Sequence, residues 1–148
     1  MSGAVMANGD YGASELVILG LVAWFALMLV LLEVSRSLAT TLKGKPANSF
    51  EPSGEDMSPT VQRLTRVHAN AYEFLPFPLA ILLFAVATDA TAVTDGLAPW
   101  LLAARVGQSV THLASTSVPA VLVRFIAFFI PQQAILVVWM VSLLRVTG

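Results

Sequence analysis

Arg63, Arg66, Asn70, Glu73 and Phe77 are spaced by three, four, three and four residues, so on a helix they fall in one stripe. The stripe starts among polar residues and runs into an apolar stretch, where Glu73 is followed at once by Phe74, Leu75 and Pro76. A second stripe follows downstream, because Arg105, Gln108, Ser109 and His112 also share a helical face. Both stripes are embedded in hydrophobic sequence. An ionised side chain in the middle of a bilayer costs about 2.5 to 3.5 kcal/mol on insertion scales, so Glu73 and Arg105 are expected to face inward. The economical arrangement is a direct pair between them, with the carboxylate and guanidinium offsetting each other's desolvation. Such a pair could equally fix the register of two helices or belong to a site.

Arg124 differs, since no acidic residue lies within a turn of it and its neighbours Val121, Val123, Phe125 and Phe128 are apolar. One reading is that it snorkels to the headgroups. The other is that its missing anion is a ligand. His68 and His112 are too few for a metal site, which draws three or four ligands. His68 reads as a solvated residue beside the stripe. The chain contains no cysteine, so disulfides, thiolate metal centres and catalysis by a protein thiol are excluded. Any thiol chemistry must arrive with a substrate. Tyr72, Trp24, Trp100 and Trp139 read as core residues or interface anchors.

The elements that must position these residues follow from composition. Of 148 residues, 57% are hydrophobic and only 11% are charged, about half the charged fraction of a soluble domain. With a mean hydropathy of +0.79, the solvent that fits this sequence is lipid. The net charge is −1 and no basic run exists, so nucleic acid is not an expected partner. The expected fold is all-α, a single integral-membrane four-helix bundle with spans at about 14–40, 60–88, 96–115 and 120–145. The first helix has no Gly or Pro between Glu33 and Gly44 and should continue past Arg36. A polar loop at about 43–58 follows, rich in Pro, Gly, Ser and charge. Ser58-Pro59 has the form of a helix start, and Pro76 and Pro78 predict a kink. The first loop region holds Arg36, Lys43, Lys45, Arg63 and Arg66, whereas the second loop has only Asp89 and Asp95. This asymmetry puts the first loop on the cytoplasmic side of a multi-pass protein, in the inner or plasma membrane if the source is bacterial. The N-terminal stretch has no Lys or Arg and carries Asp10 and Glu15, so it does not read as a cleavable signal peptide.

The segment from Arg63 to Phe77, with Arg63, Arg66, His68, Asn70, Glu73 and Pro76-Phe77 in order, resembles the second-helix signature of the membrane-associated proteins in eicosanoid and glutathione metabolism. The long first helix, the polar loop ending near Asn48, Arg105 on the third helix and Arg124 near the start of the fourth fit the same family. The resemblance implies a homotrimer with glutathione bound between subunits near the cytoplasmic side. It implies that Asn70 and Glu73 hold glutathione, Glu73 at its amino group, that Arg105 stands close behind them, and that Arg124 aims at the sulfur. Arg124 is thus the candidate catalytic residue, and Asn70, Glu73, Arg105, Gln108, His112 and Arg66 the candidate substrate-binding set. Compared with the prostaglandin-synthase branch, this chain has Gln108 and His112 in place of a His and a Tyr, and Ala69 in place of an Arg. The expected function is a glutathione-dependent transferase or peroxidase acting on a lipophilic small molecule drawn from the membrane lipid. The alternative is a non-catalytic membrane scaffold or lipid-binding protein. A small transporter fits less well, since no internal repeat is present.

Overall fold

The computed structural model describes residues 11–148. Asp10 and the stretch before it, which bear on the signal-peptide expectation, lie outside the described residues. The chain is helical throughout, in four passes without strands among the described residues. The first pass is α1, Ala13–Lys43; the second is α2, Pro59–Phe74, continued by α3, Pro76–Ala87. The third is α4, Ala98–Ala114, and the fourth is α5, Val118–Val123, a π-helical turn at Arg124–Phe129, and α6, Ile130–Thr147. Three of these, Ala13–Lys43, Pro59–Ala87 and Val118–Thr147, are long and apolar enough to cross a membrane. With 17 residues, α4 spans roughly 25 Å and sits at the lower limit for a crossing helix.

The 31 residues of α1 extend roughly 46 Å, well beyond a hydrocarbon core of about 30 Å. That excess is enough for Glu33, Arg36 and Lys43 to lie beyond the apolar layer within one unbroken helix. The helix stops at Gly44, whose left-handed φ of 66° is open to a residue without a Cβ. As expected, Ser58 stands at the N-cap of α2 with Pro59 just inside, but the Ser58 side chain makes no capping hydrogen bond. The loop between these helices is fastened by its own contacts. Lys45 pairs with Asp56 at 2.9 Å and lies 5.3 Å over the Phe50 ring, while Gln62 donates to the Met57 carbonyl at 2.9 Å.

Chain direction alternates, so the long loop and the α4–α5 connection share one end. Arg63, at the start of the second pass, donates through Nε to the Leu113 carbonyl near the end of α4 at 2.8 Å. At the other end, Asp95 accepts from the Ser14 backbone N–H at 2.9 Å and the Ser14 hydroxyl at 2.7 Å, giving α1 the cap its own Gly12 cannot supply. The core runs along the bundle axis around Leu21, Leu82, Leu101, Leu136 and the fully buried Trp139. In α4 every inward neighbour is served: it meets α1, α2, α6 and the π turn.

The proline effects appear at two points. Pro76 lacks the N–H that would bond the Tyr72 carbonyl and Pro78 the one for Phe74, so the hydrogen-bond ladder of the second pass is interrupted around Leu75, whose own backbone stays α-helical at φ −53°, ψ −39°. Pro131 follows the π turn. Its ring would collide with the carbonyl four residues back in a regular helix, and widening the preceding turn relieves that contact. Outward, the passes are apolar: only 11% of the most hydrophobic window of the fourth pass is buried. A surface of that kind needs lipid or further protein against it.

Candidate functional site

At the centre of the site is a chain of amides and one cation. Arg105, only 3% exposed, donates from Nη2 to Asn70 Oδ1 at 3.0 Å and from Nη1 to Gln108 Oε1 at 2.9 Å. Its guanidinium carbon lies 4.6 Å above the Phe74 ring. The pair expected between Glu73 and Arg105 does not form. Among the described residues the ion pairs are Arg36–Glu33 at 3.2 Å and Lys45–Asp56 at 2.9 Å, and neither is in the site. Neutral oxygens and an aromatic face satisfy Arg105 instead. Glu73, expected to point inward, is exposed on the surface of the chain. It lies just under one turn beyond Asn70, and that offset carries it past the α2–α4 seam into the open.

The network extends to a residue that stripe reasoning missed. Gln132, fully buried on α6, donates from Nε2 to Gln108 Oε1 at 3.1 Å and to the Phe128 carbonyl at 3.0 Å. It sits in a run of 20 uncharged residues from Phe125 to Leu144, so the signal was an amide pair, Gln132-Gln133, in an otherwise apolar span. Ser109 donates back to the Arg105 carbonyl at 3.0 Å and accepts from Trp24 Nε1 at 3.2 Å, which ties α1 to α4 at this level.

Two adjoining cavities open on this face. One of about 230 Å³ is lined by Asn70, Glu73, Phe74, Arg105, Phe129 and Gln133. The other, about 280 Å³, is lined by Asn70, Gln108, His112, Arg124, Phe125 and Phe129. They share Asn70 and Phe129, and together fall within the roughly 300–1,000 Å³ of small-molecule sites. Glu73 thus stands at one end of a groove and Arg124 at the other. Arg124 is the first residue of the π turn, and its Nε is sealed from solvent with no acceptor among the described residues. The turn comes close to α4 because Gly107 offers no side chain there: a Cβ would lie 2.8 Å from Phe128 Cε1.

Of the sequence-derived candidates, the structure brings Asn70, Glu73, Arg105, Gln108, His112 and Arg124 to this groove. Arg66 is exposed one turn nearer the loop and lines neither cavity. His68 is not solvated: its ring stacks on Phe25 at 4.9 Å and its Nε2 is enclosed without a partner. Among the described residues no group of His, Cys, Asp or Glu could hold a metal ion.

No curated protein and no solved structure matches the chain. A family profile does: that of the MAPEG family matches residues 15–144, from the first turns of α1 almost to the end of α6. The match takes in both polar stripes, the amide network and the groove, and on its extent this membrane-spanning chain belongs to the MAPEG family.

Proposed function

We propose that the chain is a glutathione-dependent membrane transferase or peroxidase acting on lipophilic electrophiles, with the thiolate held at Arg124. The observation that carries this reading is the groove itself, with an unpaired carboxylate at one end and an arginine lacking any anion at the other. Glutathione has the complementary pattern, an ammonium and two carboxylates at a distance from a thiol, and it supplies the sulfur that a chain without cysteine lacks.

Glu73 and Asn70 receive the amino end of the tripeptide, Glu73 by charge and Asn70 by its side-chain amide. Arg105 acts at one remove, since both of its bonded nitrogens are spent on Asn70 and Gln108, and it fixes the Asn70 amide so that the nitrogen is left for the ligand. Arg124 lowers the thiol pKa from about 8.5 by placing a fixed cation beside the sulfur. The thiol proton passes to water, the sulfur forms its bond to the electrophilic carbon, and the leaving group departs with the electron pair. His112, beside Arg124 in the same cavity, is placed to contact the second substrate.

The groove lies on a protomer face that carries exposed Glu73 and a strip of exposed aromatic side chains, Phe77, Phe125 and Phe129. Neither lipid tails nor water alone suits that mixture. A second copy does, and we take the working assembly to be a homotrimer with the loop end in the cytoplasm. Appearance of thiolate absorbance on adding glutathione to the purified protein, together with conjugation of a generic aryl halide, tests the proposal. No signal at millimolar glutathione would overturn it. The second reading, a non-catalytic lipid-binding member, draws on a separate apolar groove of about 310 Å³ between α3 and α6, walled by Ile81, Phe84, Met140 and Leu143.

A further inference from the structure

Gln132 has no place in the stripes that define the groove, yet it is fully buried and makes two hydrogen bonds, one across to α4 and one back to the π turn of its own pass. Its orientation is unambiguous on chemical grounds. Arginine has only donors, so the Gln108 atom facing Arg105 Nη1 at 2.9 Å must be the oxygen. The Gln132 atom that meets this same oxygen at 3.1 Å and the Phe128 carbonyl at 3.0 Å faces two acceptors, and must be the nitrogen. Gln108 Oε1 is therefore doubly occupied. Its Nε2 bonds no group among the described residues and is not one of the enclosed unpartnered atoms, and Gln108 lines the cavity together with Arg124.

We infer that Gln132 is a positioning residue, which locks Gln108 with its amide N–H aimed at the anion that Arg124 binds and ties that amide to the π turn carrying Arg124. The inference rests on the glutathione reading and deepens it: the thiolate is held by a neutral donor from α4 and a cation from the fourth pass. The bond from Gln132 to the Phe128 carbonyl makes the turn and the amide one unit, since Phe128 lies within the π segment that Arg124 begins. Gly107 serves the same contact, by letting the Phe128 ring close against α4.

The test uses full-length protein in lipid nanodiscs, with Gln132→Met as the variant. Methionine matches the volume and removes both donors without burying a new polar group, so the bundle is retained. Two ligands are compared: glutathione, whose bound thiol is titrated by thiolate absorbance, and S-methylglutathione, which carries the same charges but no ionisable sulfur. The expected result is a rise of about one unit in the apparent pKa of the bound thiol, a tenfold loss of thiolate stabilisation. S-methylglutathione affinity stays within about twofold of wild type, since hydrogen bonds to charged groups are the ones that carry energy. Gln132→Asn, which keeps the amide but withdraws it by one methylene, shifts the pKa in the same direction. An unchanged thiol pKa in both variants overturns the inference, as does an equal loss of affinity for both ligands, which marks a merely structural role. Wild-type protein that binds neither ligand overturns the glutathione reading and this inference together, a result told apart from the others because wild type itself fails.

Discussion

Replacing Glu73 with Gln separates two accounts of the charges in this bundle. If Glu73 were the buried counter-ion of Arg105, removing its charge would leave an uncompensated cation and cost about 3–5 kcal/mol of stability. In the structure, Arg105 is held by Asn70 at 3.0 Å, Gln108 at 2.9 Å and the Phe74 ring at 4.6 Å, while Glu73 is exposed in an open groove. Glu73→Gln removes no hydrogen bond of Arg105, and the expected change in ligand-free unfolding free energy is within about 0.5 kcal/mol, as for an ordinary surface substitution. Ligand binding is another matter. A hydrogen bond between the carboxylate and an ammonium contributes about 1.5–3 kcal/mol, so glutathione affinity should fall roughly 10- to 150-fold. Reversible unfolding in mixed micelles without ligand, followed by calorimetric titration of glutathione, reads both quantities on one sample. A ligand-free destabilisation of several kcal/mol with unchanged affinity would refute the reasoning, since it would make Glu73 structural.

Arg124→Ala should leave the fold intact, because no hydrogen bond in the described residues ends on that side chain, and should lower kcat/KM for conjugation by about 10²–10³, the range for loss of one anion-stabilising group. Gly107→Val puts a branched side chain where even a Cβ meets Phe128 at 2.8 Å, so it should destabilise by about 1–3 kcal/mol and displace the π turn, read as lost activity at temperatures where the fold persists. In the loop, the hydrogen bond from Lys45 holds the Asp56 carboxyl below its ordinary value of 3.8. A depressed folded-state pKa stabilises fully above the unfolded value and loses that stabilisation as pH falls through the folded one. Protease protection of the loop between α1 and α2 is therefore expected to be flat from neutral pH down to about pH 5 and to weaken only below pH 4. Asp56→Asn should abolish that dependence, and a loss of protection between pH 6 and 8 would contradict it.

The sequence made the passes legible because their signals are local. Uncharged runs, the Gly44 stop, the Ser58-Pro59 start and the paired prolines each act within a turn or two of chain. The stripe from Arg63 to Phe77 was readable for the same reason, since helical spacing alone puts Asn70 and Glu73 near one another in angle. What spacing does not contain is the rotation of one helix against the next. Asn70 and Glu73 differ by three residues, and that difference turned Asn70 into the seam and Glu73 out of it, so the expected ion pair gave way to an amide contact. Two economical solutions existed for Arg105, a carboxylate or several neutral oxygens with a ring, and charge counting saw only the first. Gln132 was hidden for a related reason. Its partner lies 24 residues away on an antiparallel helix, and a single amide in an apolar run is silent until packing brings it opposite another. The π turn at Arg124 had a faint signal in Pro131, a ring that cannot follow a regular turn without displacing a carbonyl.

All of these residues converge on the claim that the groove from Glu73 to Arg124 is a ligand site shared with a neighbouring copy. The most direct measurement is a structure of the protein in lipid with glutathione present. The account predicts tripeptide density lying between protomers, its amino end against Glu73 and its sulfur beside Arg124. A groove filled by side chains of the neighbouring copy, with Glu73 and Arg124 each neutralised by protein groups and no room left for a ligand, would contradict it.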